Sequence, residues 1–95
     1  MIVFHGSMRV APGKRSEFVE KLIEADLASQ FRQEPGNVFY TLAMSAEDED
    51  VVVTCDAWDT NEEFEAHTKS EACAQFMKLH DKFVVDDSKP FIFEF

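Results

Sequence analysis

The chain has 95 residues, enough for one hydrophobic core and too few for a second, so a single domain over residues 1–95 is expected. Hydrophobic residues make up 45%, with ten Phe and only three Gly and three Pro, which excludes a disordered or low-complexity chain. Nineteen acidic side chains against nine basic ones leave a net charge of −10, a balance that repels phosphate backbones and anionic lipid alike and excludes nucleic acid and membrane surface as partners.

In chain order, Ile2 to Val10 is dominated by β-formers and stops at Ala11-Pro12-Gly13, so it reads as a strand. From Lys14 to Gln33 the apolar residues Phe18, Val19, Leu22, Ile23, Leu27 and Phe31 recur at helical spacing with charged residues between them. That pattern predicts one amphipathic helix of about five turns. Ser16 or the Pro-Gly before it starts this helix, and Glu34-Pro35-Gly36 stops it, because proline disfavours helical geometry in the residue before it. Asn37 to Met44 is a second strand, Ala46 to Asp50 an exposed acidic turn, and Val51 to Trp58 a third strand, antiparallel to the second.

Thr60 is the expected N-cap of the next helix, with Glu63 three residues on completing a capping box and Glu62, Glu63 and Glu65 favoured by the helix dipole. Phe64 and His67 share one face. Ser70 breaks or re-caps the helix, which continues along Cys73, Phe76, Met77, His80, Phe83 and Val84. Asp86 to Pro90 ends it, and Phe91 to Phe95 forms a short last strand. The N-terminus lacks a basic leader and a long apolar run, so neither a signal peptide nor a spanning helix is expected, and the cytoplasm is the expected compartment. Cys55 and Cys73 are then best read as buried thiols, and no Cys/His spacing suggests a metal.

Strand, helix, strand, strand, helix, strand is the order of a ferredoxin-like α+β fold, βαββαβ, with an antiparallel four-stranded sheet and both helices on one face. Strand residues of both parities are apolar: Ile2, Phe4 and Met8 against Val3; Val52 against Val51, Val53 and Cys55; Phe91, Phe93 and Phe95 against Ile92. A sheet with one wet face alternates more cleanly, so the second face is expected to be covered by a symmetry mate, giving a homodimer through the sheet.

Several short stretches carry a resemblance. They are Arg9-Val10-Ala11-Pro12-Gly13-Lys14, Glu34-Pro35-Gly36-Asn37, Trp58 at a strand end, and Glu65-Ala66-His67 followed by Ser70 and Phe76. Over residues 2 to 95 their order and spacing resemble the antibiotic biosynthesis monooxygenase family of dimeric α+β barrels. The resemblance implies a homodimer whose two sheets close a barrel, a small-molecule pocket between sheet and helices, and oxygenation of quinol-like or polycyclic aromatic substrates by O2 with no flavin, haem or metal. It also leaves room for a non-redox isomerase or a non-catalytic binding protein. This chain departs from the family where a second His often follows the first by five residues, a place taken here by Ala72, and Met77 occupies the place of the haem ligand of haem-degrading relatives.

Oxygenation without a cofactor requires a base, a group that stabilises an oxyanion, and exclusion of water. His67 is the expected base, because imidazole titrates near neutrality. Trp58 is expected to wall the pocket and offer its indole N–H to a ligand oxygen. Tyr40, Asn37 and His5 are the strand residues able to orient a polar aromatic ligand, and Arg9 can pair with an anionic one. On composition alone each has a plainer reading, as a packed histidine, a core aromatic or a solvated strand residue.

Overall fold

In the computed structural model, which describes residues 1–95, β1 (Ile2–Val10) runs through the middle of an antiparallel sheet. β3 (Val51–Trp58) lies on one side of it and β2 (Asn37–Met44) forms the outer edge beyond β3. On the other side β1 pairs with β4 (Val84–Asp87) and β5 (Phe91–Glu94). These two share the fourth sheet position: β4 faces Met8 to Val10 and β5 faces Ile2 to His5. The sequence reading ran the helix on to Val84 and had Asp86 to Pro90 end it; in the structure Val84–Asp87 is strand. The interruption at Ser88-Lys89-Pro90 follows from Pro90, which has no N–H to give to the ladder.

The long N-terminal helix is divided into α1 (Arg15–Glu24) and α2 (Leu27–Arg32). Phe18 and Leu22 are one turn apart, as are Leu27 and Phe31, and all four are buried. Five residues separate Leu22 from Leu27, a step that in an unbroken helix would rotate Leu27 about 140° off the buried face. The chain resets the face by taking Asp26 to φ 56°, a left-handed conformation that aspartate tolerates better than most residues. Gln30 Nε2 donates to the Ala25 carbonyl at 2.9 Å, and Ile23 is left 67% exposed.

Thr60 and Ser70 cap their helices as expected, but the reciprocal half of the capping box differs, because Glu63 Oε1 accepts from the Thr60 hydroxyl at 3.1 Å and not from its N–H. Thr60 Oγ1 accepts from the Glu63 N–H at 3.2 Å at the start of α3 (Asn61–Thr68), and Ser70 Oγ accepts from the Cys73 N–H at 3.1 Å at the start of α4 (Glu71–Phe83). The helices cover the sheet face formed by Met8, Val10, Tyr40 and Val52, against which Phe18, Leu22, Leu27, Phe31 and Phe83 pack. No helix is long and apolar enough to cross a membrane. On the opposite sheet face Phe39, Phe91 and Phe93 remain 40–62% exposed, beside His5 and Arg9. Arg9 Nη2 bonds Asp48 Oδ2 at 2.7 Å, and Arg15 Nη1 donates to the carbonyls of Ser45, Asp48 and Val51, fastening the acidic turn.

Candidate functional site

The turn after α2 positions the first element of the site. Gly36 adopts φ +79°, a conformation that glycine takes without strain, and the Glu63 carboxyl fills the space a Cβ would need, so glycine suits the closing of Glu34-Pro35-Gly36 against the start of α3. The Asp59 N–H donates to the Gly36 carbonyl at 2.8 Å, and Glu34 is thereby laid beside His67. Glu34 Oε1 and His67 Nδ1 are 2.7 Å apart, with side chains 17% and 10% exposed. An ionised carboxylate can only accept, so Nδ1 carries the proton and, when the ring is neutral, Nε2 is a bare acceptor. No buried polar side-chain atom lacks a partner, so the unbonded Nε2 reaches open space.

The His67 ring lines a hollow of about 160 Å3 between the sheet and α4, whose polar lining consists of Tyr40, Thr54, Asp56, His67, Thr68 and Cys73 and whose apolar walls include Phe4, Phe31 and Phe76. Aromatic packing fixes the imidazole: Trp58 stacks on it at 4.4 Å and 25°, and Phe31 meets it edge-on at 4.7 Å. Trp58 is fully buried, and its indole N–H donates to Asp56 Oδ2 at 2.7 Å. The indole therefore holds the His67 imidazole in place and bonds Asp56, and its N–H is not free for the ligand oxygen that the sequence reading expected it to meet.

Asp56 itself, 3% exposed, was not singled out from the sequence. Burial raises its pKa, against the opposing pulls of the Trp58 N–H and of His67. Burial, and then the Asp56 charge, also push the Tyr40 phenol far above its ordinary range, so it remains a neutral donor at any working pH. The Cys73 thiol is raised by burial too and stays protonated.

His67 and Tyr40 are thus brought together. The other three strand candidates lie elsewhere. Asn37 Nδ2 donates to the carbonyls of Phe39 and Ala57, at 3.1 and 3.4 Å. His5 and Arg9 have the odd parity of β1 and project from the opposite face of the sheet, His5 beside Phe91 and Arg9 paired with Asp48. A larger hollow of about 350 Å3 at the β2 edge has mainly apolar walls, and the Arg32 guanidinium within it is occupied by the Tyr40 carbonyl. Nowhere do three His, Cys, Asp or Glu side chains converge as metal ligands would.

The family model for antibiotic biosynthesis monooxygenase matches residues 1–79. The chain belongs to that family. Its fold is shared with a candidate antibiotic biosynthesis monooxygenase from Nitrosomonas europaea, at 21% identity and a TM-score of 0.87 over 99% of this chain and 97% of that one. A conserved protein from Methanosarcina mazei is 18% identical, with a TM-score of 0.85 over 97% and 89% of the two chains. Another structure, a conserved protein of unknown function from Bacteroides thetaiotaomicron named a possible oxidoreductase, is 29% identical, with a TM-score of 0.81 over 99% and 96%. No curated protein matches the chain. Within the antibiotic biosynthesis monooxygenase family this chain is thus a ferredoxin-like α+β member with an acid–base cluster under α4.

Proposed function

We propose that the protein is a cofactor-independent monooxygenase acting on a phenolic or quinol-like fused-ring molecule. The observation that carries this reading is the Glu34–His67 pair, which leaves Nε2 bare on a ring that lines a hollow walled by Phe4, Phe31 and Phe76 and by Tyr40. His67 Nε2 removes the proton of a ring hydroxyl, and Asp56 offsets the positive charge that the imidazole gains. Tyr40 donates a hydrogen bond to the resulting phenolate. The apolar walls keep out water, so that the electron-rich ring passes electrons to O2 rather than recovering a proton. One oxygen atom enters the ring as a carbonyl and the other leaves as water, as in 1-naphthol and O2 giving 1,4-naphthoquinone and water, so the substrate supplies every electron.

The same reading makes the protein a homodimer through the outer sheet face, supported by the exposed Phe39, Phe91 and Phe93 and by Phe95, 78% exposed, at the chain end. The test is oxygen uptake by chelator-treated protein with 1-naphthol or 1-anthrol: uptake that His67→Ala abolishes supports the proposal, and uptake indifferent to His67→Ala ends it. A second reading, non-redox proton transfer on a small oxygenated metabolite, is favoured by the fact that Glu34, Tyr40, Asp56 and His67 are all acid–base groups. Product formed under strict anaerobiosis would decide for it.

A further inference from the structure

A second hollow, of about 280 Å3, adjoins the first beneath α4, and Phe4, Thr54, Phe76 and Met77 line both. Pockets that enclose a drug-sized ligand measure roughly 300–1,000 Å3. Neither hollow reaches that size alone, whereas the two joined do. The outer one has a lining of its own: Gly6, Ser7 and Met8 from β1, His80 from α4, and Ser88 and Pro90 from the interrupted edge. Its polar groups already satisfy one another. His80 Nε2 meets Asp87 at 2.8 Å, His80 Nδ1 meets Asp81 at 3.0 Å, and the Ser7 and Ser88 hydroxyls are 2.7 Å apart. Such a compartment is suited to holding a ligand rather than reacting with it.

We propose that the two hollows are one elongated binding groove, whose inner end takes the ionisable hydroxyl of the ligand and whose outer end takes an uncharged apolar extension of it, such as a further fused ring. This rests on the reading of the inner hollow given above. Gly6 is the residue that keeps the outer end open. It is buried in β1 on the inner face, and a Cβ there would stand 3.0 Å from Phe4 Cε1 and 3.3 Å from Phe4 Cζ, pressing on the ring that walls both compartments. Met77, unbranched and 42% exposed, is the most movable of the shared walls and can turn aside for a long ligand. Hydrogen bonding sets the other limit. Both His80 nitrogens already face carboxylates, Asp87 and Asp81, so the one charged donor at the mouth has no N–H left for an anionic tail.

Binding under argon separates this inference from the oxygenase reading, because no turnover is involved. Quenching of Trp58, the only Trp and stacked on His67, reports occupancy of the inner end by 1-naphthol, with two rings, or 1-anthrol, with three. The parent protein is expected to bind 1-anthrol at least about tenfold more tightly than 1-naphthol, about 1.4 kcal/mol. Gly6→Val, which fills the floor of the outer hollow, and Pro90→Phe, at its exposed mouth, each reduce that preference below about threefold. A sulfonate on the far ring of 1-anthrol removes it in the parent. A preference unchanged in both variants overturns the inference, as does failure of the parent to bind 1-anthrol. Oxygen uptake that survives in the variants while the ring-length preference stays unchanged overturns this inference and leaves the oxygenase reading standing. Lost preference with no oxygen uptake in the parent does the reverse.

Discussion

Replacing Glu34 with Gln keeps the shape of the side chain and removes its charge, so it isolates what the carboxylate does for His67. The bond is 2.7 Å long and both side chains are at least four-fifths covered, so solvent screens it little. A hydrogen bond to a charged group contributes about 1.5–3 kcal/mol and a neutral one about 0.5–1.5 kcal/mol, so the substitution loses about 1–1.5 kcal/mol of orientation. At about 1.4 kcal/mol per factor of ten, that is roughly a tenfold effect. An amide can also turn and present N–H to Nδ1, which moves the ring proton to Nε2 and blocks the base. Oxygen uptake with 1-naphthol is expected to fall about tenfold or more in Glu34→Gln, and about a hundredfold or more in His67→Ala. The melting temperature of Glu34→Gln should drop by no more than about 4–8 °C, the equivalent of about 1 kcal/mol in a domain of this size. A rate within twofold of the parent, in a variant that folds, refutes the role given to Glu34.

Asp56→Asn removes a buried carboxylate whose pKa burial raises. An acid with a raised folded pKa costs stability once pH exceeds that pKa, so the variant should melt no lower than the parent at pH 8 while its oxygen uptake falls about tenfold or more. His80 behaves in the opposite sense. Burial lowers its pKa, and hydrogen bonds to Asp87 and Asp81 more than reverse this, giving a net rise. Its stabilisation is therefore complete below the unfolded value of 6.5 while those aspartates are ionised, and is lost as pH climbs through the higher folded value. Thermal melts of parent and His80→Ala should differ at pH 6 and converge at pH 9; an equal gap at both contradicts the clamp between α4 and β4. Phe93→Asp, on the outer sheet face, should shift sedimentation from dimer to monomer without lowering the helical signal, and a monomeric parent would remove the basis for the dimer.

Much of the architecture was legible because its signals are local. Pro12, Gly13, Pro35 and Gly36 mark the ends of elements, and Thr60 and Ser70 cap helices through hydrogen bonds within three residues. The break at Asp26 was not legible, because Ile23 fits the helical spacing as well as its buried neighbours do, and only tertiary packing decides that it faces solvent. Val84 to Asp87 became strand because β1 offered an unpaired edge, a fact about a segment some seventy residues away in sequence.

The site divides in the same way. His67 stood out by residue type, whereas Glu34 read as part of a helix stop and its proximity to His67 depends on the turn at Gly36. Asp56 left a signal that went unread: it shares strand parity with Val52, Thr54 and Trp58, and a lone carboxylate on the buried side of a strand needs a reason to be there. Register likewise places His5 and Arg9 on the face away from Tyr40, which their residue types could not reveal.

The central claim concerns which imidazole nitrogen bears the proton, and 15N NMR of protein labelled at histidine measures it directly. With the His67 ring neutral, the account predicts protonated Nδ1 and bare Nε2, and a shift of the Nε2 resonance alone when 1-naphthol is added under argon. A neutral ring protonated on Nε2, or an Nε2 resonance indifferent to 1-naphthol, would contradict it.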